Sequence, residues 1–95
     1  MIKGTTADGF DFEVNENIAK DFRIVMATAK LSSENTLEKV NGTYDFALAV
    51  LGKSGLERLV DFTAKKKGFP ETEYILSQTR EILEYAATHG DEIKK

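Results

Sequence analysis

The chain has 95 residues, of which 41% are apolar and 31% charged, a balance typical of one globular domain and not of a disordered or fibrous protein. It has no cysteine, so neither a disulfide framework nor a thiolate metal site can form. The net charge of -3 argues against a dedicated nucleic-acid binder. No apolar run reaches the roughly 18 residues of a membrane helix, and the N-terminus lacks a signal-peptide core. We therefore expect a cytoplasmic protein that binds neither nucleic acid nor membrane.

Residues 1–14 predict a β-hairpin, because apolar and acidic residues alternate from Phe10 to Val14 as in a strand with one face in water. Two registers are compatible with the turn. A two-residue loop would leave Ile2 on the face opposite the phenylalanines. A three-residue loop ending in a left-handed Gly9 would bring Ile2 onto the phenylalanine face, and we favour this register. The apolar face of such a hairpin must then dock on helices or pair with another chain.

The first helix is predicted over residues 17–30. Its main apolar stripe has the spacing of a single buried face and consists of Ile18, Phe22, Val25, Met26 and Ala29. Ile24 lies off this stripe and forms a weaker second one with Ala27 and Leu31. We expect the main stripe to pack beneath the hairpin; the alternative is that it forms a partner surface.

A second helix is predicted to start at Asn35, which stands three residues before Glu38 at capping-box spacing. Asn41-Gly42 is expected to interrupt it, because glycine within a helix costs about 1 kcal/mol relative to alanine. The helical pattern then resumes. From Tyr44 to Leu51 it is apolar over more than half of its circumference, which predicts a helix enclosed by its neighbours.

Gly52 is predicted to end this buried helix in the left-handed conformation. Ser54 and Glu57 have capping-box spacing, and they indicate that a further helix starts directly and runs over residues 54–67. Three lysines close that helix, where the helix dipole favours positive charge, and Gly68 stops it.

The final helix is predicted over residues 71–89, with Gly90 as its end. Residues 91–95 read as a charged, mobile tail. The chain as a whole, residues 1–95, is thus expected to form a single α-dominated α+β domain: a β-hairpin over 1–14, then a compact bundle of four to five helices over 17–89.

No constellation of residues indicates catalysis. Gly52-Lys53-Ser54 is similar to the end of a phosphate-binding loop, but Ala47 occupies the place of the first glycine, and a helix precedes it where that motif needs a strand. His89 is the single histidine, so it cannot anchor a convincing metal site. No carboxylate pair lies in the apolar frame that acid–base chemistry requires. We expect a protein that is not an enzyme and that needs no cofactor or metal.

Two tyrosines of the last helix are candidate partner contacts. Tyr74 and Tyr85 are eleven residues apart, so they share one face, and this face lies opposite the inward stripe. Tyrosines exposed along one line are common at protein interfaces. The alternative is that one or both fold onto the hairpin or a neighbouring helix. Together with the off-stripe Ile24, they form the set of candidate partner-contact residues.

The layout of the chain resembles the tail assembly chaperones of long, non-contractile-tailed bacteriophages, which are encoded just upstream of the tape measure protein. Three segments carry this resemblance: Asp8-Gly9-Phe10-Asp11-Phe12-Glu13-Val14 leading into a helix with Phe22, then Val50-Leu51-Gly52-x-x-Gly55-Leu56-x-x-Leu59, and finally Glu81-Ile82-Leu83.

The resemblance implies a mostly helical, self-associating protein without catalytic activity. It implies binding to the tape measure protein in the host cell cytoplasm, where tail tube subunits polymerise around that protein during tail morphogenesis. It also implies that a ribosomal frameshift adds a further domain to some copies. An alternative reading from the two helices that meet at Gly52 is a small regulatory or DNA-binding helical domain of a bacterium or prophage.

Overall fold

The computed structural model describes residues 1–93. Its elements are strands β1 (Ile2–Thr5) and β2 (Asp11–Val14), a 3-10 turn (Ile18–Lys20), and helices α1 (Phe22–Leu31), α2 (Thr36–Lys67) and α3 (Thr72–Ile93). The described chain is therefore mostly helical with an N-terminal hairpin. It contains three α-helices within residues 1–93, so the prediction of four to five helices is wrong.

Two glycines explain the lower number of helices. Gly42 does not interrupt α2, because the helix uses it to pack closely against α1: a Cβ at Gly42 would lie 2.7 Å from Cβ of Lys30. Gly52 has non-helical backbone angles, φ 74° and ψ 171°, so α2 consists of two helical limbs that meet at a kink there and together count as one element. We call residues 36–51 the first limb of α2 and residues 53–67 its second limb.

The hairpin has the register that its turn predicts. Ile2 pairs with Val14 and Gly4 with Phe12 in an antiparallel ladder, which leaves a three-residue loop. Gly9 ends this loop with φ 98°, in the left-handed region that glycine enters without cost. The three-residue loop is thus confirmed, and the apolar face of the hairpin is buried against the helices.

One apolar core lies between the hairpin and the three helices. Its most deeply buried aliphatic side chains are Val14 of β2, Leu59 of α2 and Ile82 of α3. Two fully buried threonines, Thr63 and Thr79, donate their hydroxyls to backbone carbonyls one helical turn earlier, so these polar groups are hydrogen-bonded inside the core. The core therefore joins the helices to the hairpin. Neither threonine hydroxyl in it lacks a hydrogen-bond partner.

Helix α1 turns the opposite face inward from the one that its sequence predicts. Ile24 and Ala27 are 7% and 1% exposed, whereas Phe22, Val25 and Met26 are 70%, 58% and 53% exposed. The predicted inward stripe is therefore wrong for α1. Its first member, Ile18, is buried, but it belongs to the 3-10 turn that precedes the helix.

The reason for this reversal lies at Asp21. Its backbone is extended, with φ -77° and ψ 125°, so the chain changes direction between the 3-10 turn and α1. The helical phase that links Ile18 to Phe22 in the sequence is lost at that residue. Asp21 also caps α1 by accepting a hydrogen bond from the Arg23 backbone N–H, so the helix starts at Phe22 and not near residue 17.

The first limb of α2 is not enclosed on all sides, in contrast to the prediction. Phe46, Ala47 and Val50 are buried, but Tyr44 is exposed and Leu48 is only half-buried. Its predicted cap is confirmed, since the Asn35 side chain accepts a hydrogen bond from the Glu38 backbone N–H at 3.1 Å.

The other predicted helix ends have mixed outcomes. Gly68 closes α2 in the left-handed conformation, with φ 87°, as predicted. Helix α3 continues to Ile93, past its predicted end at Gly90. The predicted mobile tail, residues 91–95, thus begins within α3, and residues 94–95 lie outside the described residues.

Gly52→Ala tests the kink in α2. A Cβ there has open space around it, but the combination of φ 74° and ψ 171° is essentially restricted to glycine, so we expect a loss of about 1–3 kcal/mol in the free energy of unfolding. Urea denaturation measures it, with the adjacent exposed Lys53→Ala as the control, expected to change stability by less than about 0.5 kcal/mol. Equal stability of the two variants would contradict the kinked geometry.

Candidate partner-binding surface

Helices α1 and α2 form an antiparallel helical hairpin with apolar residues on both of its faces. Its inner face packs on the core through Ile24 and Ala27 of α1 and Phe46 of α2. Its outer face consists of six large apolar side chains, each more than half exposed: Phe22, Val25, Met26, Leu37, Val40 and Tyr44. We call this set the outer face.

Helical geometry explains why the outer face is continuous along each helix. At 100° per residue, Phe22, Val25 and Met26 point away from buried Ile24 on α1. On α2, Leu37, Val40 and Tyr44 follow the i, i+3, i+7 spacing of one stripe, which half-buried Leu48 extends by one turn. Both stripes lie on the side of the helical hairpin that faces away from the core.

The two stripes meet at a groove between the helices, with a volume of about 210 Å³. Met26 of α1 and Leu48 of α2 both line it. Across the same groove Lys30 Nζ lies 2.7 Å from Asp45 Oδ2, and each side chain is about two-fifths exposed. The outer face is therefore an apolar surface that one interhelical ion pair crosses.

A second ion pair lies at the start of α1, where Arg23 also lines the groove. The guanidinium of Arg23 lies 2.6 Å from Asp21 Oδ2, and its side-chain hydrogen bonds hold the pKa of Asp21 down to about 2. Asp21 therefore keeps its negative charge in any ordinary buffer, and it orients Arg23 beside the apolar residues.

The size of the outer face indicates an interaction site. Six large side chains at these exposures present on the order of 600 Å² of apolar surface, the upper end of what a monomeric protein normally exposes. Single exposed apolar residues need no explanation, but a patch of this size on two adjacent helices is typical of a surface that another molecule covers.

The residues that the sequence singled out as partner contacts do not form this surface. Ile24 is buried on the inner face of α1, and Tyr74 is buried as well. Tyr85 is half-buried, with its ring edge-on to Phe12 at 5.4 Å and stacked on His89 at 3.7 Å. The two tyrosines thus fold onto the hairpin, which was the alternative reading, and the proposal that all three contact a partner does not agree with their burial.

Tyr74 instead connects the hairpin turn to α3 by a hydrogen bond. Its hydroxyl donates to Asp8 Oδ2 at 2.6 Å, and Lys67 Nζ lies 5.0 Å from its ring centroid. Two turns further along α3 from Tyr74, Glu81 accepts a hydrogen bond from the Ala7 backbone N–H at 2.7 Å. Burial raises the pKa of Tyr74 to about 12, and the hydrogen bond to Asp8 adds to the rise.

The sequence favoured burial for the stripe of Phe22, Val25 and Met26 and left a partner surface as the alternative; their exposure contradicts the burial and agrees with the alternative. A signal was present: α1 carries two apolar stripes on opposite sides, and a short helix at the edge of a small core can bury only one. The smaller stripe contains Ala27, which is buried, and α2 approaches the backbone of α1 closely at Gly42, beside Lys30 and Leu31.

The other sequence features that suggested chemistry have structural roles. Gly52-Lys53-Ser54 lies inside α2 at its kink and does not follow a strand. Among residues 1–89, whose side chains are described, no three His, Asp or Glu side chains converge as metal ligands would. Nor does any helix in this part of the chain combine the length and the apolarity needed to cross a membrane.

Comparison with known proteins gave no match to a family model, a curated protein or a solved structure.

Tyr74→Phe tests the hydrogen bond between the hairpin turn and α3 through the pH dependence of the free energy of unfolding. The pKa of tyrosine is about 10 in an unfolded chain and about 12 for Tyr74 in the fold, so its contribution to stability is complete below pH 10 and lost as the pH rises to 12. The wild type should therefore lose stability more steeply than Tyr74→Phe between pH 9 and pH 12.

Urea denaturation at a series of pH values measures this difference. Tyr44→Phe, at an exposed tyrosine of the outer face, is the matched control. If the stability difference between wild type and Tyr74→Phe stays constant over this range, the buried hydrogen-bonded tyrosine is not present in solution.

Proposed function

We propose that the protein is a non-catalytic assembly chaperone that holds an apolar helical segment of a partner protein on its outer face. The observation that carries this proposal is the exposed apolar surface on α1 and the first limb of α2. The layout of the chain resembles phage tail assembly chaperones, and on that basis the proposed partner is the tape measure protein. The tail tube protein is the second proposed partner, and tail morphogenesis in the host cytoplasm is the proposed setting.

The shape of the outer face favours a helix as its occupant. Two antiparallel helices with a groove between them form a surface on which an amphipathic helix can pack its apolar side. The stripe from Leu37 to Leu48 spans twelve residues, or roughly 17 Å of helix. A bound helix of about three turns would match this length. Long helical proteins with repeated apolar stripes offer many such segments.

Two aromatic residues are the expected anchors of binding. Phe22 and Tyr44 are large, and aromatic side chains carry a disproportionate share of the binding energy at protein interfaces. Met26 at the groove adds a flexible side chain that adapts to different apolar partners. This combination suits a chaperone that must hold several similar segments of one long partner and later release them.

Co-expression with the tape measure protein tests the proposal. We expect the wild-type chain to raise the soluble fraction of that protein several-fold, because the outer face covers apolar segments that would otherwise aggregate. Phe22→Glu places a charge at the centre of an anchor site and should abolish the effect.

Phe69→Glu is the matched control, since Phe69 is also a well-exposed phenylalanine but follows the C-terminal end of α2, away from the outer face. It should solubilise the partner as well as the wild type does. A tape measure protein that is equally soluble with and without this chain would refute the proposed function.

A further inference from the structure

We propose that strand β1 binds an extended, basic segment of a partner protein, which adds to the hairpin as a third strand. The segment pairs with the outer edge of β1 and lies in a groove between β1 and α3. This site is separate from the outer face, and the proposal does not rest on the proposed function.

The outer edge of β1 presents backbone groups that are available for pairing. Thr6 donates its N–H to the Phe10 carbonyl at 2.9 Å, so these two residues form a hydrogen-bonded pair of the hairpin. Every second pair of an antiparallel ladder is bonded in this way, so the N–H and C=O groups of Lys3 and Thr5 point away from β2. Among the described residues, no backbone or side-chain group is hydrogen-bonded to them.

The two outer edges of the hairpin differ. On β2, the Arg58 guanidinium donates a hydrogen bond to the Asp11 carbonyl, and Arg58 Cζ lies 5.2 Å from the ring centroid of Phe10. A side chain held across an edge obstructs a further strand, which is one way in which folded proteins protect their sheets. The edge of β2 is therefore blocked, and the edge of β1 is open.

A groove of about 250 Å³ lies beside the open edge, between Thr5 of β1 and helix α3. Gly4 gives this groove an aromatic floor. Because Gly4 has no side chain, the Phe12 ring reaches beneath β1, where a Cβ at Gly4 would lie 2.7 Å from Phe12 Cζ. Phe12 meets the half-buried Tyr85 of α3 edge-on, and both rings line the groove. The open backbone edge and an apolar surface are thus adjacent.

The α3 wall of the groove is acidic. Glu81 and Glu84 line it, and all of the described lining residues are neutral or acidic. Glu84 is exposed and forms no ion pair with another described residue, including Arg80 one turn earlier. Glu81 accepts the Ala7 N–H with Oε2, a neutral donor that leaves its negative charge unbalanced. The groove therefore favours a positively charged occupant.

These features identify the occupant as an extended segment with basic side chains at alternate positions. Every second side chain of an added strand would face α3. A lysine or arginine there can lay its aliphatic stem on the aromatic floor and bring its charge to Glu81 and Glu84. Lys3 lies on the opposite face of β1, with Nζ 3.9 Å from Glu13 Oε2, so its charge stays outside the groove. Main-chain bonds then supply affinity, and the alternate side chains supply specificity.

An NMR titration of the whole protein tests this site. The probe is a short synthetic peptide of alternating lysine and threonine. We expect the amide signals of Lys3 and Thr5 to shift and their hydrogens to exchange more slowly with solvent, because they gain hydrogen-bond partners. A peptide of alternating glutamate and threonine should not bind, since its charge has the same sign as the groove.

Glu84→Lys tests the charge of the groove. It should weaken binding of the lysine peptide by on the order of tenfold, because it replaces attraction by repulsion at an exposed position. Glu57→Lys is the matched control, since Glu57 is an exposed glutamate of α2 outside the groove. It should bind the peptide as the wild type does.

Lys3→Pro tests the backbone edge itself. Proline removes the N–H that points outward from β1, so binding should fall by on the order of tenfold. Glu13→Pro is the matched control, because Glu13 is the cross-strand partner of Lys3 and its N–H points outward on the blocked edge. It should leave binding unchanged. Sheet edges tolerate proline at such positions, and circular dichroism checks that both variants fold.

Three results would each overturn the proposal. They are an absence of shifts at Lys3 and Thr5, equal binding of the glutamate peptide, and binding that Glu84→Lys leaves intact. Phe22→Glu, which should abolish the solubilisation of the tape measure protein, should bind the lysine peptide as the wild type does. The failure of this proposal and the failure of the proposed function are therefore distinguishable.

Discussion

The extended backbone of Asp21 is the constraint on which the arrangement of the helices depends. It separates Ile18, which is buried in the core, from the helix that follows, and it sets the rotation of α1 about its own axis. Its side chain caps α1 and pairs with Arg23, so the start of the helix is fixed at this residue. With α1 in this rotation, its smaller apolar stripe faces the core and its larger stripe faces outward.

The close packing of α1 on α2 makes that rotation produce an exposed apolar surface on both helices. Gly42 lets α2 approach the backbone of α1, and the ion pair between Lys30 and Asp45 joins the helices on the outer side. The helical hairpin is therefore closely packed and apolar on both faces. One face stabilises the domain, and the other is available to a second molecule, which is why we place binding there and not on the buried tyrosines of α3.

Local chemistry made part of this structure predictable. The left-handed Gly9 and Gly68 and the Asn35 cap follow from rules that involve a few neighbouring residues, and they were confirmed. The facing of α1 was not predictable from periodicity, because a period shows that residues share a side but not which side is buried. Tyr74 was misplaced for a similar reason, since its partner Asp8 is 66 residues away in the chain.

The rotation of α1 is tested most directly by truncating two adjacent β-branched residues, Ile24 and Val25, to alanine in separate variants. Alanine exceeds isoleucine and valine in helix propensity by similar amounts. The difference between the two losses of stability therefore reports how deeply each side chain is buried. Urea denaturation should show a loss of about 2–4 kcal/mol for Ile24→Ala and less than about 0.5 kcal/mol for Val25→Ala. A larger loss for Val25→Ala would mean that α1 faces the other way and that the outer face does not exist.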